Sequence, residues 1–311
     1  MTGTARLLDG KATALLIRRE VADACARLRA ARGIVPGLAV VLVGDDPASA
    51  IYVRNKEAAA REAGIDSRVV RMPASSSEAA ILRTVEQLNG DPSVHGILVQ
   101  IPLPDGIDEG RIQQAIDPDK DVDGLHPLNS GRLLAGLAGI VPCTPAGILE
   151  LLLRNGVALA GRRAVVIGRS NIVGKPMAIL LLREHCTVTI CHSRTRDLAA
   201  VTSQAEILIS AAGRPALIGA EHILPGAVVV DVGIHSITDV ETCRRIFGDD
   251  PKRLQAVRER GFTLVGDVHP VEAAERAGWL TPVPGGVGPL TIALLLRNTY
   301  HAAAGRPAEE A

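Results

Sequence analysis

The amino-acid sequence predicts an α/β protein with two domains, each built on a mostly parallel sheet flanked by helices. The chain has 311 residues, which is enough for two ordinary domains. Short apolar runs rich in β-branched residues alternate with segments of helical periodicity, as expected for a parallel sheet and its covering helices. Proline- and glycine-rich loops follow several of these runs, and open α/β sheets bind ligands at such strand ends.

Helix and strand patterns alternate through the first part of the chain. Apolar residues recur at helical spacing over 9–31. The segment 38–44, an unbroken apolar run of six residues followed by Gly44, predicts a strand buried on both faces. Helical spacing returns over 49–63, where Gly64 marks the C-terminal end. The same patterns predict a strand at 67–71, a helix at 75–88 and a strand at 95–100.

A second alternating series begins at Arg163. It predicts a helix at 174–185 among strands at 164–168, 187–191, 205–210 and 227–233. Near the end of the chain, a loop rich in proline and glycine leads into a predicted helix at 290–298 that is too apolar to stand free. This last helix must therefore pack on another element.

Composition and charge disfavour several functions. The 34 basic and 34 acidic side chains balance and aromatic residues make up 2% of the chain, so the features of a nucleic-acid-binding protein are absent. No apolar run exceeds six residues, whereas a membrane-spanning helix needs roughly eighteen. The five cysteines form no CxxC pair, so neither a disulfide framework nor a metal site is predicted. The start of the chain lacks a signal-peptide pattern, which predicts a cytoplasmic protein.

The segment VVIGRSNIVGKP predicts either a dinucleotide site or a plain tight turn. A strand turns through Gly168 into a helix whose backbone NH groups suit a pyrophosphate, but Ser170 stands where the usual fingerprint has its second glycine. The next predicted strand ends without the acidic residue that binds the ribose of NAD, and Ser193 and Arg194 stand there instead. With Arg169, these groups suit a 2′-phosphate, so the predicted cofactor is NADP.

Tyr52 and Lys56 are four residues apart in a predicted helix, which places them on one face within reach of each other. An ordinary amphipathic helix and a catalytic pair both explain this spacing. A Tyr-xxx-Lys pair also serves short-chain dehydrogenases, but their glycine-rich turn precedes the tyrosine, whereas Gly168 follows Tyr52 by more than a hundred residues.

The segment DKDVDG imitates the first half of a calcium-binding loop, with Asp119, Asp121 and Asp123 at alternate positions. The match ends at position 12, where Ser130 replaces the bidentate glutamate. Solvation at the surface explains most of these carboxylates, and one of them in a cleft would accept hydrogen bonds from the NH groups of a heterocycle. The proline-rich loops QIPLP, PCTP and TPVPGGVGPLT indicate such a cleft.

Several segments taken together resemble the bifunctional methylenetetrahydrofolate dehydrogenase/cyclohydrolase family. They occur in the family's order from about residue 9 to 299: DDPASAIYVRNK, VQIPLP, DVDGLHP, PCTP, GRSNIVGKP, CHSRT, PGAVVVDVG, GDV and TPVPGGVGPLT. The resemblance implies a folate-binding catalytic domain at 1–144 plus 284–311, and a Rossmann-like NADP-binding domain at 145–283. It also implies an active cleft at their junction, a folate substrate and a homodimer.

The resemblance further implies roles for residues on the substrate side. Lys56 corresponds to the family's catalytic lysine, Tyr52 to its ring-stacking partner and Gln100 to the glutamine that hydrogen-bonds the lysine. Asp123 matches the carboxylate that holds the pterin NH groups. Residues that line or close over the same pocket are Ser49, Cys143, Pro284, Gly285, Gly286 and Val287.

On the cofactor side, the resemblance implies that Gly168, Arg169 and Ser170 form the phosphate turn. Ser193 corresponds to a 2′-phosphate contact and Ile234 to a contact on the nicotinamide side. One departure from the family is conspicuous, because 31 residues separate Ile234 from Gly266 where the family has a short turn. The charged stretch 249–261 within this insertion predicts an added surface helix.

The implied activity is a two-step conversion of 5,10-methylenetetrahydrofolate. Hydride transfer to NADP⁺ gives the methenyl cation, and hydrolysis then gives 10-formyltetrahydrofolate. Only the hydrolysis needs a proton carrier, and Lys56 is the candidate because burial beside a cation favours a neutral lysine. A dinucleotide-binding regulatory protein is the alternative, since it would keep the GRSNIVG turn without needing Tyr52, Lys56, Gln100 and Asp123.

Overall fold

The computed structural model describes residues 5–305, except for the side chains of residues 47 and 48. In chain order, its strands are β1 (Arg6–Leu7), β2 (Gly37–Val43), β3 (Asp66–Met72), β4 (Gly96–Val99), β5 (Arg163–Ile167), β6 (Thr187–Cys191), β7 (Ile207–Ser210), β8 (Val228–Asp231), β9 (His235–Ile237), β10 (Thr263–Val265) and β11 (Trp279–Leu280). Its helices are α1 (Gly10–Arg32), α2 (Pro47–Glu62), α3 (Glu78–Gly90), α4 (Glu109–Ala115), α5 (Pro127–Ala135), α6 (Cys143–Arg154), α7 (Gly174–Arg183), α8 (Leu198–Thr202), α9 (Val240–Phe247), α10 (Pro251–Arg260), α11 (Pro270–Arg276) and α12 (Val287–Ala304).

The chain forms two compact units. The three-stranded unit joins Ala14–Cys143 to the chain from Thr291 onward, and the six-stranded unit joins the chain up to Thr13 to Thr144–Leu290. The predicted domain bounds placed 1–144 with 284–311, so the compact units differ at the first thirteen residues, at Thr144 and at 284–290. β1 explains the difference at the N-terminus, because it pairs with β11 in the six-stranded sheet.

In the three-stranded unit, β2 lies between β3 and β4 and pairs with both in parallel. Every residue of β2 is buried, as its unbroken apolar sequence predicts. On one side of this sheet, α3 and α4 pack through Ile81, Val85 and Ile112 against the apolar residues of β2 and β4. A parallel bridge from Ile97 to Asp121 then fixes the loop after α4 beside β4.

Lys120 ties the loop after α4 to the C-terminal end of α3. Its ammonium donates to the carbonyl oxygens of Asn89 at 2.7 Å, Asp91 at 2.9 Å and Leu88 at 3.3 Å, which lie at the C-terminal end of α3. A cation satisfies these carbonyls and complements the negative end of the helix dipole. The residues that follow Lys120 are therefore tied to the core of the unit.

The six-stranded sheet has the order β1-β11-β8-β7-β5-β6, and all of its pairs are parallel. The chain leaves β5, crosses through α7 to β6 on one side, and then returns through α8 to β7 on the other side. This reversal creates a crevice at the carboxyl ends of β5 and β7, where doubly wound sheets bind their ligands. The predicted α/β class with two parallel sheets is confirmed.

Some local predictions need correction. The predicted helix at 290–298 is the longer α12, and the predicted surface helix at 249–261 is α10, whose Leu254 and Val257 are buried. The sequence analysis also missed five short helices that begin at Asp or His caps, namely α4, α5, α8, α9 and α11. Within the described residues, no helix combines the length and apolar character that crossing a bilayer requires.

Candidate active site

Helix α2 presents three of the predicted site residues. It starts with Asp46 as its N-cap, whose carboxylate accepts a hydrogen bond from the Ser49 NH at 2.7 Å. Ser49, Tyr52 and Lys56 follow at intervals of three and four residues, which place them on one face of the helix. Ser49 is buried with 4% exposure, whereas Tyr52 remains 46% exposed and presents its ring to solvent.

Gln100 lies directly after β4 and contacts Lys56. Its side-chain oxygen accepts a hydrogen bond from Lys56 Nζ at 2.9 Å, and its side-chain NH₂ donates to the Ile101 carbonyl at 2.7 Å. The second bond fixes the orientation of the amide, so that its oxygen faces the lysine. The Gln100 backbone NH donates to Val41 of β2 at 2.9 Å, which anchors the residue to the sheet.

Asp123 lies in the loop held by Lys120, next to the start of α6. The Asp123 carbonyl accepts the Cys143 NH at 3.3 Å, and the buried Cys143 thiol donates to the Val122 carbonyl at 3.2 Å. Gly124 has a φ of +76°, and a Cβ there would lie 2.5 Å from the Pro142 nitrogen, so only glycine allows this close approach.

Asn298 of α12 is a site residue that the sequence reading missed. Its buried side-chain NH₂ donates to the Val122 carbonyl at 2.9 Å and to the Val141 carbonyl at 3.3 Å, and it lies 3.5 Å from the Cys143 Sγ. One amide therefore holds together the two chain segments that carry Asp123 and Cys143. A polar asparagine after the apolar run of α12 was the available signal.

Burial and the neighbouring acidic groups act on the pKa of Lys56 in opposite directions. Burial lowers the pKa of the Lys56 ammonium, while the nearby Asp123 carboxylate and Cys143 oppose that change. Burial also raises the pKa of the Asp123 carboxyl, with Lys56 opposing the change. The pKa of the Cys143 thiol is raised well above its ordinary value of 9.0, first by burial and then by Asp123. Cys143 is therefore a neutral thiol, and Asp123 is the acid that partners Lys56.

Asp121 corrects the expectation that the carboxylates around Asp123 are solvated. It is fully buried, and its Oδ2 accepts the His126 NH at 2.7 Å and the Asn129 side-chain NH₂ at 3.0 Å. Burial raises the pKa of this carboxyl to about 6. Asp119, by contrast, is exposed and pairs with Arg132 at 2.9 Å. The residues described contain no group of three or more potential ligands arranged for a metal ion.

The crevice of the six-stranded sheet holds most of the predicted cofactor residues. Gly168, Arg169, Ser170 and Ser193 line a cavity of about 400 Å³ at the carboxyl ends of β5, β6 and β7. Gly168 has a φ of +122°, and a Cβ there would lie 2.3 Å from the Ala211 carbonyl oxygen. Glycine at this position therefore lets the two strand ends approach and leaves room for a ligand.

Ser170 replaces the second glycine of the fingerprint with a side-chain contact. Its hydroxyl accepts from the Val173 NH at 3.2 Å and from the Gly174 NH at 3.3 Å, at the start of α7. At Gly174, a Cβ would lie 2.2 Å from the Gly168 carbonyl oxygen, so the helix packs directly on the turn. Ile234 lies after β8, does not line this cavity, and is 53% exposed.

Asp267 of the GDV segment shapes the same cavity, although the sequence reading gave it no role. The carboxylate is fully buried and accepts the backbone NH groups of Ala212 at 2.6 Å, Gly213 at 3.2 Å and Arg214 at 3.0 Å. It also contacts His235 Nε2 at 2.8 Å and accepts the Ser210 hydroxyl at 3.4 Å. These bonds fix the loop after β7 and place Arg214 in the cavity wall. Arg214 is a second arginine beside the predicted Arg169, and the sequence analysis did not identify it.

The segment from Pro284 to Val287 belongs to the six-stranded unit. The Gly285 carbonyl accepts the Lys11 NH at 3.1 Å, and Val287 is the first residue of α12. A Cβ on Gly286 would lie 2.7 Å from the Pro282 carbonyl oxygen, which explains the glycine. The predicted residues thus fall into two sets, one per unit, with Ser49, Tyr52, Lys56, Gln100, Asp123 and Cys143 in the three-stranded unit.

Comparison with known proteins identifies both parts of the chain. Residues 8–123 match the family described as tetrahydrofolate dehydrogenase/cyclohydrolase, catalytic domain, and residues 142–306 match its NAD(P)-binding domain. A bifunctional protein FolD of Moorella thermoacetica is 54% identical over 299 residues, which cover 96% of this chain and 99% of that protein.

Solved structures agree with these matches. The bifunctional FolD enzyme of Campylobacter jejuni has a TM-score of 0.88 and 43% identity, covering 97% of this chain and 99% of that one. The Trypanosoma brucei FolD, solved as a complex with NADP cofactor and inhibitor, has a TM-score of 0.87 and 39% identity, covering 97% and 98%. The likeness therefore extends over both units and nearly the whole length.

Exchange of Asp123→Asn is expected to lower the pKa of Lys56 further, because the carboxylate favours the ammonium form. The measurement is a pH titration of the Lys56 side chain by NMR on protein labelled at lysine. Asp119→Asn is the matched control, since Asp119 is exposed and paired with Arg132. A Lys56 pKa that is unchanged or higher in the Asp123 variant would contradict the assignment of Asp123 as its charge partner.

Proposed function

This chain belongs to the tetrahydrofolate dehydrogenase/cyclohydrolase family, and we propose that it carries out the two successive reactions of that family. It is an NADP-dependent enzyme that oxidises 5,10-methylenetetrahydrofolate to the methenyl form and hydrolyses that product to 10-formyltetrahydrofolate. The observation that carries the assignment of roles is the Lys56–Gln100 hydrogen bond, which sets a partly buried lysine close to Asp123.

The residues at the crevice of the six-stranded sheet fit NADP. Gly168 leaves the strand end open to a phosphate, and the first NH groups of α7 face that turn with their positive dipole end. Arg169 and Ser193 line the cavity and can bind a 2′-phosphate, for which a guanidinium is geometrically suited. NADP⁺ when bound supplies the hydride acceptor for the first reaction. We assign Ile234 to the nicotinamide side from the family resemblance.

Hydride loss leaves a cation that the folate nitrogens already stabilise, so the first step asks the protein for positioning and not for acid catalysis. We assign that positioning to Asp123, which accepts the NH groups of the pterin edge, and to Tyr52, whose exposed ring stacks on the pterin. From the family resemblance we also assign Ser49 and Cys143 to the folate pocket and Pro284 to Val287 to the loop that closes over the folate.

Hydrolysis requires proton movement, which we assign to Lys56. A water molecule attacks the methenyl carbon, and the neutral amine of Lys56 takes a proton from it as the new C–O bond forms. The bond from that carbon to N5 then breaks, N5 receives a proton through Lys56, and the second proton of the water is released to solvent. Burial lowers the pKa of Lys56, which makes the neutral amine available, and Gln100 holds it in place.

We also propose that the enzyme acts as a cytoplasmic homodimer without nucleic-acid or membrane partners. The family resemblance supports the dimer, and the exposed apolar residues Leu182 and Ile190 on α7 and the edge strand β6 are consistent with a subunit contact. All five cysteines are free, which suits a reducing compartment. Light scattering on purified protein tests the dimer directly.

The wild-type enzyme with methylenetetrahydrofolate and NADP⁺ is expected to form the methenyl chromophore and then consume it. Lys56→Met should reduce the hydrolysis rate by roughly 10²- to 10⁴-fold, the usual contribution of a positioned acid–base group. Dehydrogenase activity should fall less, because hydride transfer needs no proton carrier. Stopped-flow absorbance separates the rise of the chromophore from its decay.

The pH dependence adds a second readout. Hydrolysis by the wild type should increase with pH as Lys56 loses its proton, with a midpoint below the ordinary lysine value of 10.5. Lys252→Met, at an exposed lysine on α10, is the control for a lost positive charge. Equal losses of both activities in Lys56→Met, with folate binding intact, would show that Lys56 positions the substrate and carries no proton.

Arg169→Ala is expected to weaken NADP⁺ binding roughly 10- to 150-fold, which is the loss of one charge-assisted hydrogen bond. NAD⁺ binding should be nearly unchanged because NAD⁺ lacks the 2′-phosphate. Dissociation constants for both cofactors provide the measurement, and Arg196→Ala, an exposed arginine that does not line the cavity, is the control. Equal weakening of both cofactors would assign Arg169 to the pyrophosphate.

A further inference from the structure

The insertion after Ile234 is a folded appendage of the six-stranded unit. It comprises β9, α9, α10 and β10, and we call residues 235–265 the hairpin module. β9 and β10 pair antiparallel, with His235 opposite Val265 and Ile237 opposite Thr263. The module has its own apolar cluster, formed by the buried side chains of Ile237, Cys243, Ile246, Leu254, Val257 and Val265.

One arginine of the module reaches beyond it. The guanidinium of Arg253 on α10 donates to the Leu264 carbonyl at 2.9 Å and to the Thr263 hydroxyl at 3.2 Å. Its other terminal nitrogen donates to the Val283 carbonyl at 3.1 Å. The guanidinium also lies 4.6 Å from the centre of the Phe247 ring, and this cation–π contact fixes its plane.

Val283 belongs to the loop that continues into Pro284, Gly285, Gly286 and Val287. Hydrogen bonds fix this loop on both sides of Val283. The Thr281 hydroxyl accepts the Asp231 NH at 2.8 Å, and the Gly285 carbonyl accepts the Lys11 NH at 3.1 Å. Arg253 is the side chain that holds the carbonyl between these two anchors.

Packing does not fix the centre of the loop. A cavity of about 180 Å³ is lined by Thr281, Pro282 and Val283 together with Asp231, Phe247 and Arg253. A gap removes van der Waals contacts from the atoms around it, so the loop has space to move on that side. On the side of this cavity, the Val283 carbonyl is held by its hydrogen bond from Arg253.

We propose that Arg253 is a positioning residue for the folate substrate, through which the hairpin module sets the place of the Pro284–Val287 loop. The inference rests on the proposed function, in which this loop closes over the folate. An arginine suits the task because its planar group presents two terminal nitrogens in fixed directions, one toward β10 and one toward the loop. A lysine carries one nitrogen and cannot reproduce both contacts with the same geometry.

The first test is the kinetics of Arg253→Gln with both substrates. We expect the KM for methylenetetrahydrofolate to rise roughly tenfold, since a displaced substrate contact costs affinity, while the KM for NADP⁺ stays within about twofold. Arg253→Lys should recover part of the loss. Arg258→Gln removes a positive charge at an exposed position of the same helix and is expected to match the wild type.

A second variant, which lacks most of the hairpin module, tests whether the change in KM arises from the loss of positioning and not from a general loss of stability. Because Ile237 and Thr263 face each other in the antiparallel pair, Asn-Gly in place of residues 238–262 closes the hairpin with a two-residue turn. This shortened chain should show the same selective rise in folate KM. A rise in both KM values, or a lowered melting temperature with unchanged kinetics, in either variant overturns the inference. An inactive wild type refutes the proposed function instead.

Discussion

The partial burial of the Lys56 ammonium is the constraint to which the other features of the three-stranded unit respond. An amine withdrawn from water loses its proton more easily, and an adjacent carboxylate reverses that effect. Gln100 contacts the amine with a neutral oxygen, so it orients the lysine without adding a second negative charge. Asp123 is the nearby carboxylate, and the raised pKa of Cys143 keeps the thiol from becoming another. The pKa of Lys56 is therefore lowered by its burial, and Asp123 limits how far it falls.

The six-stranded unit uses buried carboxylates for a different purpose. Asp231 accepts the backbone NH groups of Gly233, Asp267 and Val268, and Asp267 accepts those of the loop after β7. A carboxylate that collects several NH groups fixes a loop without any contact to a ligand. Burial raises the pKa of Asp231 to about 7, which reflects how completely it is withdrawn from water. Two aspartates therefore fix the loops around the crevice, which Gly168 and Arg169 line at the end of β5.

The sequence predicted the fold class and the main strands, because unbroken apolar runs and glycine-rich turns depend on local chemistry. The roles of the site residues came from the family resemblance and stay predictions, although the structure brings Lys56 to Gln100. The sequence analysis failed where a role depends on partners far along the chain. From the sequence, Asp121 is predicted to be a solvated acid. In the structure it is buried, because its backbone bridges to Ile97 and its carboxylate accepts a hydrogen bond from the Asn129 amide. Arg253 reads as one charge in a surface helix, and β1 is too short to predict without β11. The helices α4, α9 and α11 are short enough that their caps were the only signal.

The hydrogen bonds of Asn298 have a consequence for the order in which the protein is completed during synthesis. Asn298 joins the carbonyls of Val122 and Val141, and its contact with Val122 spans 176 residues. A chain made from its N-terminus can form β2, β3 and β4 early, since those strands are close in sequence. The walls around Asp123 and Cys143 gain their final partner only after the whole dinucleotide-binding segment has emerged from the ribosome. The strands of the three-stranded unit are therefore synthesised early, whereas the hydrogen bonds of Asn298 to Val122 and Val141 form only near the end of synthesis.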